Sequence, residues 1–178
     1  MFKLLTSLAN FSVLKQIQLC FVSVFLKNRI FHELISALKG GMMDQKAINK
    51  IAIVVPKALK AQAQMFWSKC REVAPGLNII MGQPLWIEIG DARPQAYCQV
   101  IEQQVYGKKP DIVVIFTNKV EDEMYATLKR LTMIKCPMLS QIITAQKILN
   151  KPDKYASFAS KILVQMATKL GAKPWAVK

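Results

Sequence analysis

From Ile51 onward, apolar and polar positions alternate between two periods. Ile51-Ala-Ile-Val-Val55 is a short β-branched run closed by Pro56, the pattern of a strand buried on both faces. Residues 57–73 have helical spacing, with Pro75-Gly76 as a stop. Leu77–Met81 and Leu85–Ile89 are further short strands, parted by Gly82-Gln83-Pro84. Pro94–Val105 predicts a second helix leading to Gly107, and Asp111–Phe116 is the clearest strand in the chain. A polar loop and a helix over about 121–132 come next, followed by a strand at Gln141–Thr144. The last helix, Tyr155–Leu170, has Gly171 at its C-cap position. Strands alternating with helices predict an α/β fold: a Rossmann-like, doubly wound, mostly parallel sheet covered on both faces. Ligands of such sheets bind beyond the carboxyl ends of the strands, which directs attention to the loops after Val55, Phe116 and Thr144. None carries G-x-G-x-x-G or a Walker-type glycine run, which argues against a dinucleotide or P-loop site.

Before Gly40-Gly41 the pattern differs. Apolar stretches at Leu4–Leu14 and Leu19–Leu26 are interrupted by Lys15, Gln16 and Gln18, so no run reaches the ~18 apolar residues of a spanning helix. Lys3 precedes an apolar run as in a signal peptide, but no A-x-A-like cleavage site follows cleanly. The expectation is an N-terminal extension over residues 1–45, helical or poorly ordered, ahead of a folded domain over 46–178.

Composition adds a partner class. The chain has 178 residues, 52% of them hydrophobic, which suits a sizeable core and argues against intrinsic disorder. Lys and Arg number 25 against 11 Asp and Glu, a formal net charge of +14. Polyanions are the natural partners, nucleic acid ahead of an anionic membrane surface, and the interrupted apolar runs argue against the membrane. Cys20, Cys70, Cys98 and Cys136 share no C-x-x-C spacing, and His32 is the single histidine. Zinc binding and Ser-His-Asp or Cys-His catalysis therefore lack their residues. Reduced thiols and an intracellular setting, cytoplasmic or nuclear, are expected.

One constellation could carry chemistry. Tyr125 and Lys129 stand at i and i+4, and Lys161, Gln165 and Lys169 follow the same spacing on the last helix. Ser140-Gln141 lies between them, where the chain enters the final strand. A phenol, an amide and two ammoniums suit an anion without any glycine-rich loop. The plainer reading is a solvated lysine face with Gln141 capping a strand edge, and spacing alone leaves both open. Asp122 and Glu123 suit the positive N-terminus of their helix, and Glu88 and Asp91 are too isolated for paired-carboxylate catalysis.

At these residues the sequence resembles the MID domain of Argonaute proteins, more closely that of the Piwi branch. The resemblance covers about residues 50–178. It rests on Tyr125-x-x-x-Lys129, Lys135-Cys-Pro-Met-Leu-Ser-Gln141 and Gln165-Met-Ala-Thr-Lys169-Leu-Gly171, in the family's order and approximate spacing. Val73-Ala-Pro-Gly76, Trp86-Ile-Glu-Ile89 and Gln103-Gln-Val105 are also similar to Piwi sequences. The resemblance implies a module that holds the 5′-phosphate and first nucleotide of a small single-stranded guide RNA. By position, Tyr125 would stack on the first base, Lys129 and Gln141 would contact the phosphate, and Lys169 would add a second cation. Gln165 stands where many Argonautes have lysine, and in the Piwi pattern a divalent cation such as Mg²⁺ replaces that charge. Thr117, Asn118 and Lys119 would belong to the loop that senses the first base.

Leu139 stands where Piwi sequences often have proline, and Ala172 where a second glycine is frequent. An intact Piwi protein also has PAZ and RNase H-like domains, and this chain ends at Trp175-Ala-Val-Lys178, where the slicing domain would begin. The expectation is therefore a guide-binding module without enzymatic activity, whose further partners are those domains. The alternative is a truncated protein-interaction or regulatory fragment that keeps the fold without useful RNA binding. A small-molecule enzyme on a flavodoxin-like sheet is the third reading; it lacks a nucleophile–base pair, metal cluster or phosphate loop.

Overall fold

The β-branched runs form the centre of the molecule. In the computed structural model, residues 45–119 and 121–173 are described. In chain order they form β1 (Lys46–Ile48), β2 (Ile51–Pro56), α1 (Lys60–Val73), β3 (Ile79–Met81), β4 (Pro84–Ile89) and α2 (Pro94–Val100). β5 (Ile112–Thr117), α3 (Asp122–Arg130), β6 (Ser140–Thr144) and α4 (Tyr155–Lys169) follow. The extension predicted over 1–45, with Cys20 and His32, lies outside the described residues except for Gln45, as does Trp175–Lys178.

β2, β4, β5 and β6 make a sheet in the order β4-β2-β5-β6, with every neighbouring pair parallel. All residues of β2 and β5 are buried, because each central strand packs helices on both faces. Ala52, Val54, Val113 and Ile115 cluster with Tyr97 and Ile101 of the α2 region and with Met124 and Leu128 of α3. Residues of opposite parity face α1 and α4. There Phe66 meets Phe116 edge-on at 6.5 Å and Tyr155 at 5.3 Å. The predicted doubly wound α/β sheet is what forms. Among the described residues no helix is long and apolar enough to cross a membrane.

The small elements were less legible. Leu77–Met81 shortens to β3, which leaves the main sheet and pairs with β1 in a separate two-stranded parallel sheet. Gly82 makes this possible, since its N–H reaches the Ile48 carbonyl at 2.8 Å. A Cβ there would stand 2.1 Å from the Asn49 carbonyl oxygen. α2 and α3 each run on into a π-helical turn, Ile101–Val105 and Leu131–Lys135.

The end of α4 matters for the site. Gly171 takes φ +87° and its N–H bonds the Thr168 carbonyl at 2.9 Å, while the Ala172 N–H bonds that of Ala167 at 2.9 Å. That pair of bonds is a Schellman ending. Ala172 thus closes the helix as well as a glycine would, and Lys169 sits in a fixed last turn.

Candidate functional site

β6 is an edge strand, and its first two residues, Ser140 and Gln141, are 5% and 7% exposed. Buried polar groups at a strand start need partners, and the last turns of two helices supply them. α3 follows β5 and runs back toward the amino ends of the strands, bringing Lys129 to Ser140. The Lys129 ammonium donates to Ser140 Oγ at 3.0 Å. Ser140 Oγ lies 3.1 Å from Thr132 Oγ1, which donates to the Leu128 carbonyl at 3.0 Å. Since that bond uses the Thr132 proton and Ser140 accepts from Lys129, Ser140 is the donor to Thr132.

α4 closes the other side. Lys169 Nζ donates to the Ser140 carbonyl and to Gln141 Oε1, both at 2.7 Å. Gln141 Nε2 donates to Gln165 Oε1 at 3.3 Å, one helical turn before Lys169. Tyr125, 42% exposed, lies one turn before Lys129, whose ammonium is 5.8 Å from the ring centroid, within cation–π range. The five residues that the resemblance assigns to the 5′-phosphate and first nucleotide, Tyr125, Lys129, Gln141, Gln165 and Lys169, are therefore drawn together. Two hydroxyls join them. Ser140 is the hub and Thr132 its support, and neutral hydroxyls leave no charge pattern by which to be found.

The doubly wound rule pointed beyond the carboxyl ends of the strands, but this cluster sits at the amino-terminal start of β6, where Ser140 pairs with Val113. The rule reflects helix N-termini aimed at a ligand. Here Lys129 and Lys169 come from helix C-terminal turns, which lie at the opposite end of the sheet, and meet Ser140 and Gln141 at the strand start.

The loop after β5 is at the other end of α3. Thr117 is buried and its hydroxyl donates to the Lys119 carbonyl at 3.2 Å, so that side chain faces inward. Asn118 and Lys119 are exposed. The Asn118 carbonyl accepts from the Gln146 N–H at 3.1 Å, and Lys119 pairs with Glu121 at 3.5 Å. Beneath the loop, the Tyr97 hydroxyl donates to the Phe116 carbonyl at 2.8 Å. Burial pushes that phenol up to about 12.

Burial also raises the thiols of Cys70, Cys98 and Cys136, and all three are free. They are held as protonated thiols, the weakly nucleophilic form. Among the described residues no group of three or more His, Cys, Asp or Glu is placed to hold a metal ion.

No protein-family model matches the chain. Protein aubergine of Drosophila melanogaster is 29% identical over 139 residues, spanning 76% of this chain and 16% of that protein. Piwi-like protein 1 of Gallus gallus is 31% identical over 139 residues, 77% of this chain and 16% of that protein. The chain thus matches only 16% of the length of these relatives. Among solved structures, Drosophila Piwi superposes with a TM-score of 0.72 at 19% identity, over 80% of this chain and 20% of that one. The AGO5 MID domain of Arabidopsis thaliana gives 0.59 at 12% identity, over 75% of this chain and 96% of that domain.

Proposed function

Because this chain carries a MID domain of the Piwi branch of the Argonaute family, we propose that it binds small RNA and holds the 5′-phosphate and first nucleotide of a single-stranded guide. The observation behind this reading is the convergence of Lys129, Gln141 and Lys169 at the start of β6. A terminal phosphate carries about −1.5 to −2 charge and three strong acceptor oxygens. Two ammoniums and an oriented carboxamide match that demand through charge-assisted hydrogen bonds. Lys129 and Lys169 already donate to neutral oxygens, so their head groups are oriented before the anion arrives, which lowers the cost of ordering them. Tyr125 presents an exposed ring one turn away, and stacking on it contributes roughly 1–3 kcal/mol per base. Asn118 and Lys119 form the exposed part of the loop proposed to meet the first base.

Gln165 places an amide oxygen in the network where a lysine would have placed a charge. Mg²⁺ favours hard oxygen ligands, keeps several waters, and is usually bound through one or two carboxylates together with substrate phosphates; here the phosphate and water would have to supply most of the ligands. An ion shared with the guide phosphate would have Gln165 Oε1 as its ligand from the protein, and it would supply the charge that glutamine lacks. The module acts by binding alone; slicing and PAZ functions belong to other domains of an intact Piwi protein, which are its proposed partners.

The test is binding of one short RNA with and without its 5′-phosphate, at near-physiological salt, in Mg²⁺ or EDTA. A clear preference for the phosphorylated RNA is expected, reduced in EDTA. Lys129→Ala should weaken the phosphorylated RNA far more than the 5′-hydroxyl form. Equal losses for both would leave Lys129 as general attraction only and overturn the assignment. A preference indifferent to EDTA would remove the ion and leave the pocket.

A further inference from the structure

The cluster at β6 does not exhaust the positive charge at its end of the sheet. In the parallel register Ile51 pairs with Ile112, and Val113 with Ser140, so β2, β5 and β6 all begin on one rim. Lys50 immediately precedes β2, and Lys108 and Lys109 shortly precede β5. With strands about 4.8 Å apart, the start of β2 lies about 10 Å across the sheet from that of β6. Lys50, Lys108 and Lys109 are exposed.

Acidic groups at this end are already engaged. Glu72 pairs with Lys69 at 2.6 Å and Glu102 with Lys135 at 2.8 Å. Asp111 Oδ2 accepts the N–H groups of Asn49 and Lys50, each at 2.9 Å. The opposite end of the sheet holds Glu88, Asp91, Glu121, Asp122, Glu123 and Asp153. There they offset Lys57, Lys60, Lys119, Lys147, Lys151 and Lys154, so the acidic residues are sorted toward that end and the excess of positive charge toward the rim. An aromatic accompanies the lysines, since Tyr106 is 42% exposed and accepts the Lys109 N–H on its carbonyl at 3.1 Å.

We propose that this rim, Lys50, Tyr106, Lys108 and Lys109, is a track for the internucleotide phosphates and bases of a single-stranded RNA whose 5′ end occupies the cluster at β6. The proposal rests on the reading of that cluster as a 5′-phosphate site. Lysines suit the task because a flexible point charge follows a backbone of any sequence. An exposed aromatic beside them accepts whichever base lies over it. Each phosphate neutralised on a single strand contributes about −0.7 to the slope of log K against log salt.

The experiment uses the full chain with Lys108→Gln and Lys109→Asn together. Asparagine is chosen because Lys109 has φ 46°, which asparagine tolerates. The control, Lys151→Gln with Lys154→Gln, removes the same charge from exposed positions at the opposite end. Each protein is titrated over a salt series with a nucleoside 5′-monophosphate and with a ten-nucleotide RNA bearing or lacking its 5′-phosphate, after equal melting temperatures are verified. The rim variant should lose roughly tenfold in affinity for the oligonucleotide at 0.15 M salt, with a slope shallower by about 1.4. Its monophosphate binding should be unchanged, and the control should match the wild type. An unchanged slope, or an equal loss in the control, would overturn the track. Indifference to the 5′-phosphate would instead sink the pocket reading, while a loss confined to the rim variant would still support the rim as an RNA-binding surface.

Discussion

The two ends of α3 meet different kinds of neighbour. At its C-terminal end, Lys129, Ser140, Thr132, Gln141, Gln165 and Lys169 are held by one another's side chains. At its N-terminal end, the loop after β5 is held largely through main-chain carbonyls, those of Phe116, Asn118 and Lys119. Removing one member of the first group takes a hydrogen-bond partner from another. Changing an exposed side chain of the second leaves the loop's shape intact. An anion is therefore recognised by a preorganised set of side chains, whereas base selection rests on a backbone contour decorated by Asn118 and Lys119.

The largest expected effect removes an aromatic packed behind the strand that carries the loop. Phe66 is fully buried between Phe116 and Tyr155. Phe66→Ala should cost about 3–5 kcal/mol of stability, measured by urea unfolding. A loss under about 1 kcal/mol would show that α1 and α4 do not bear on the strand that carries the loop. Next, Lys169→Ala would leave the Ser140 carbonyl and Gln141 Oε1 without their 2.7 Å donor. An unsatisfied buried acceptor costs about 1–3 kcal/mol. A lowered melting temperature together with loss of the 5′-phosphate preference is expected. First-base preference should stay as it was, and a change there would erase the distinction between the two ends. Ser140→Ala is gentler, because Thr132 keeps the Leu128 carbonyl and only the Lys129 acceptor is lost. About 1 kcal/mol of binding, roughly a fivefold loss, should appear in affinity for phosphorylated RNA.

Much of this was written in the chain, but unevenly. Ile51–Val55 and, within Asp111–Phe116, the run Ile112–Phe116 could be recognised as central strands because both their faces are apolar, and they are buried as that demands. Gly171 marked the end of α4 because only a left-handed residue closes that turn cheaply. The pairing of β1 with β3 left no such mark. Three residues carry no period, and the contact that fixes them, Gly82 against Asn49, is between segments distant in sequence. At the site, Tyr125, Lys129, Gln165 and Lys169 stood out by helical spacing and Ser140-Gln141 by its place between them, while the part of Ser140 as the hub did not show. Ser140 gains its importance from the Lys129 and Lys169 ammoniums that reach its two oxygens, and those contacts exist only once α3 and α4 flank β6.

The smallest effect separates the loop from the cluster. The Tyr97 hydroxyl fixes the Phe116 carbonyl at the root of the loop, far along α3 from Lys129. Tyr97→Phe deletes that donor while preserving the ring, and should cost about 1 kcal/mol of stability. Discrimination among first bases should relax while the 5′-phosphate preference holds, which paired titrations with RNAs differing only in their first nucleotide would show. The alkaline limb gives an independent signature. Folding raises this phenol from 10.0 to about 12, so the folded state binds its proton more tightly than the unfolded chain does. Its contribution is complete below pH 10 and declines as pH rises toward about 12. The informative quantity is the difference between wild type and variant. The phenylalanine protein should lose stability less steeply there. Parallel curves would mean that the Tyr97 hydroxyl is not buried beneath the loop, and unchanged discrimination among first bases would take the support from the main-chain account of base selection.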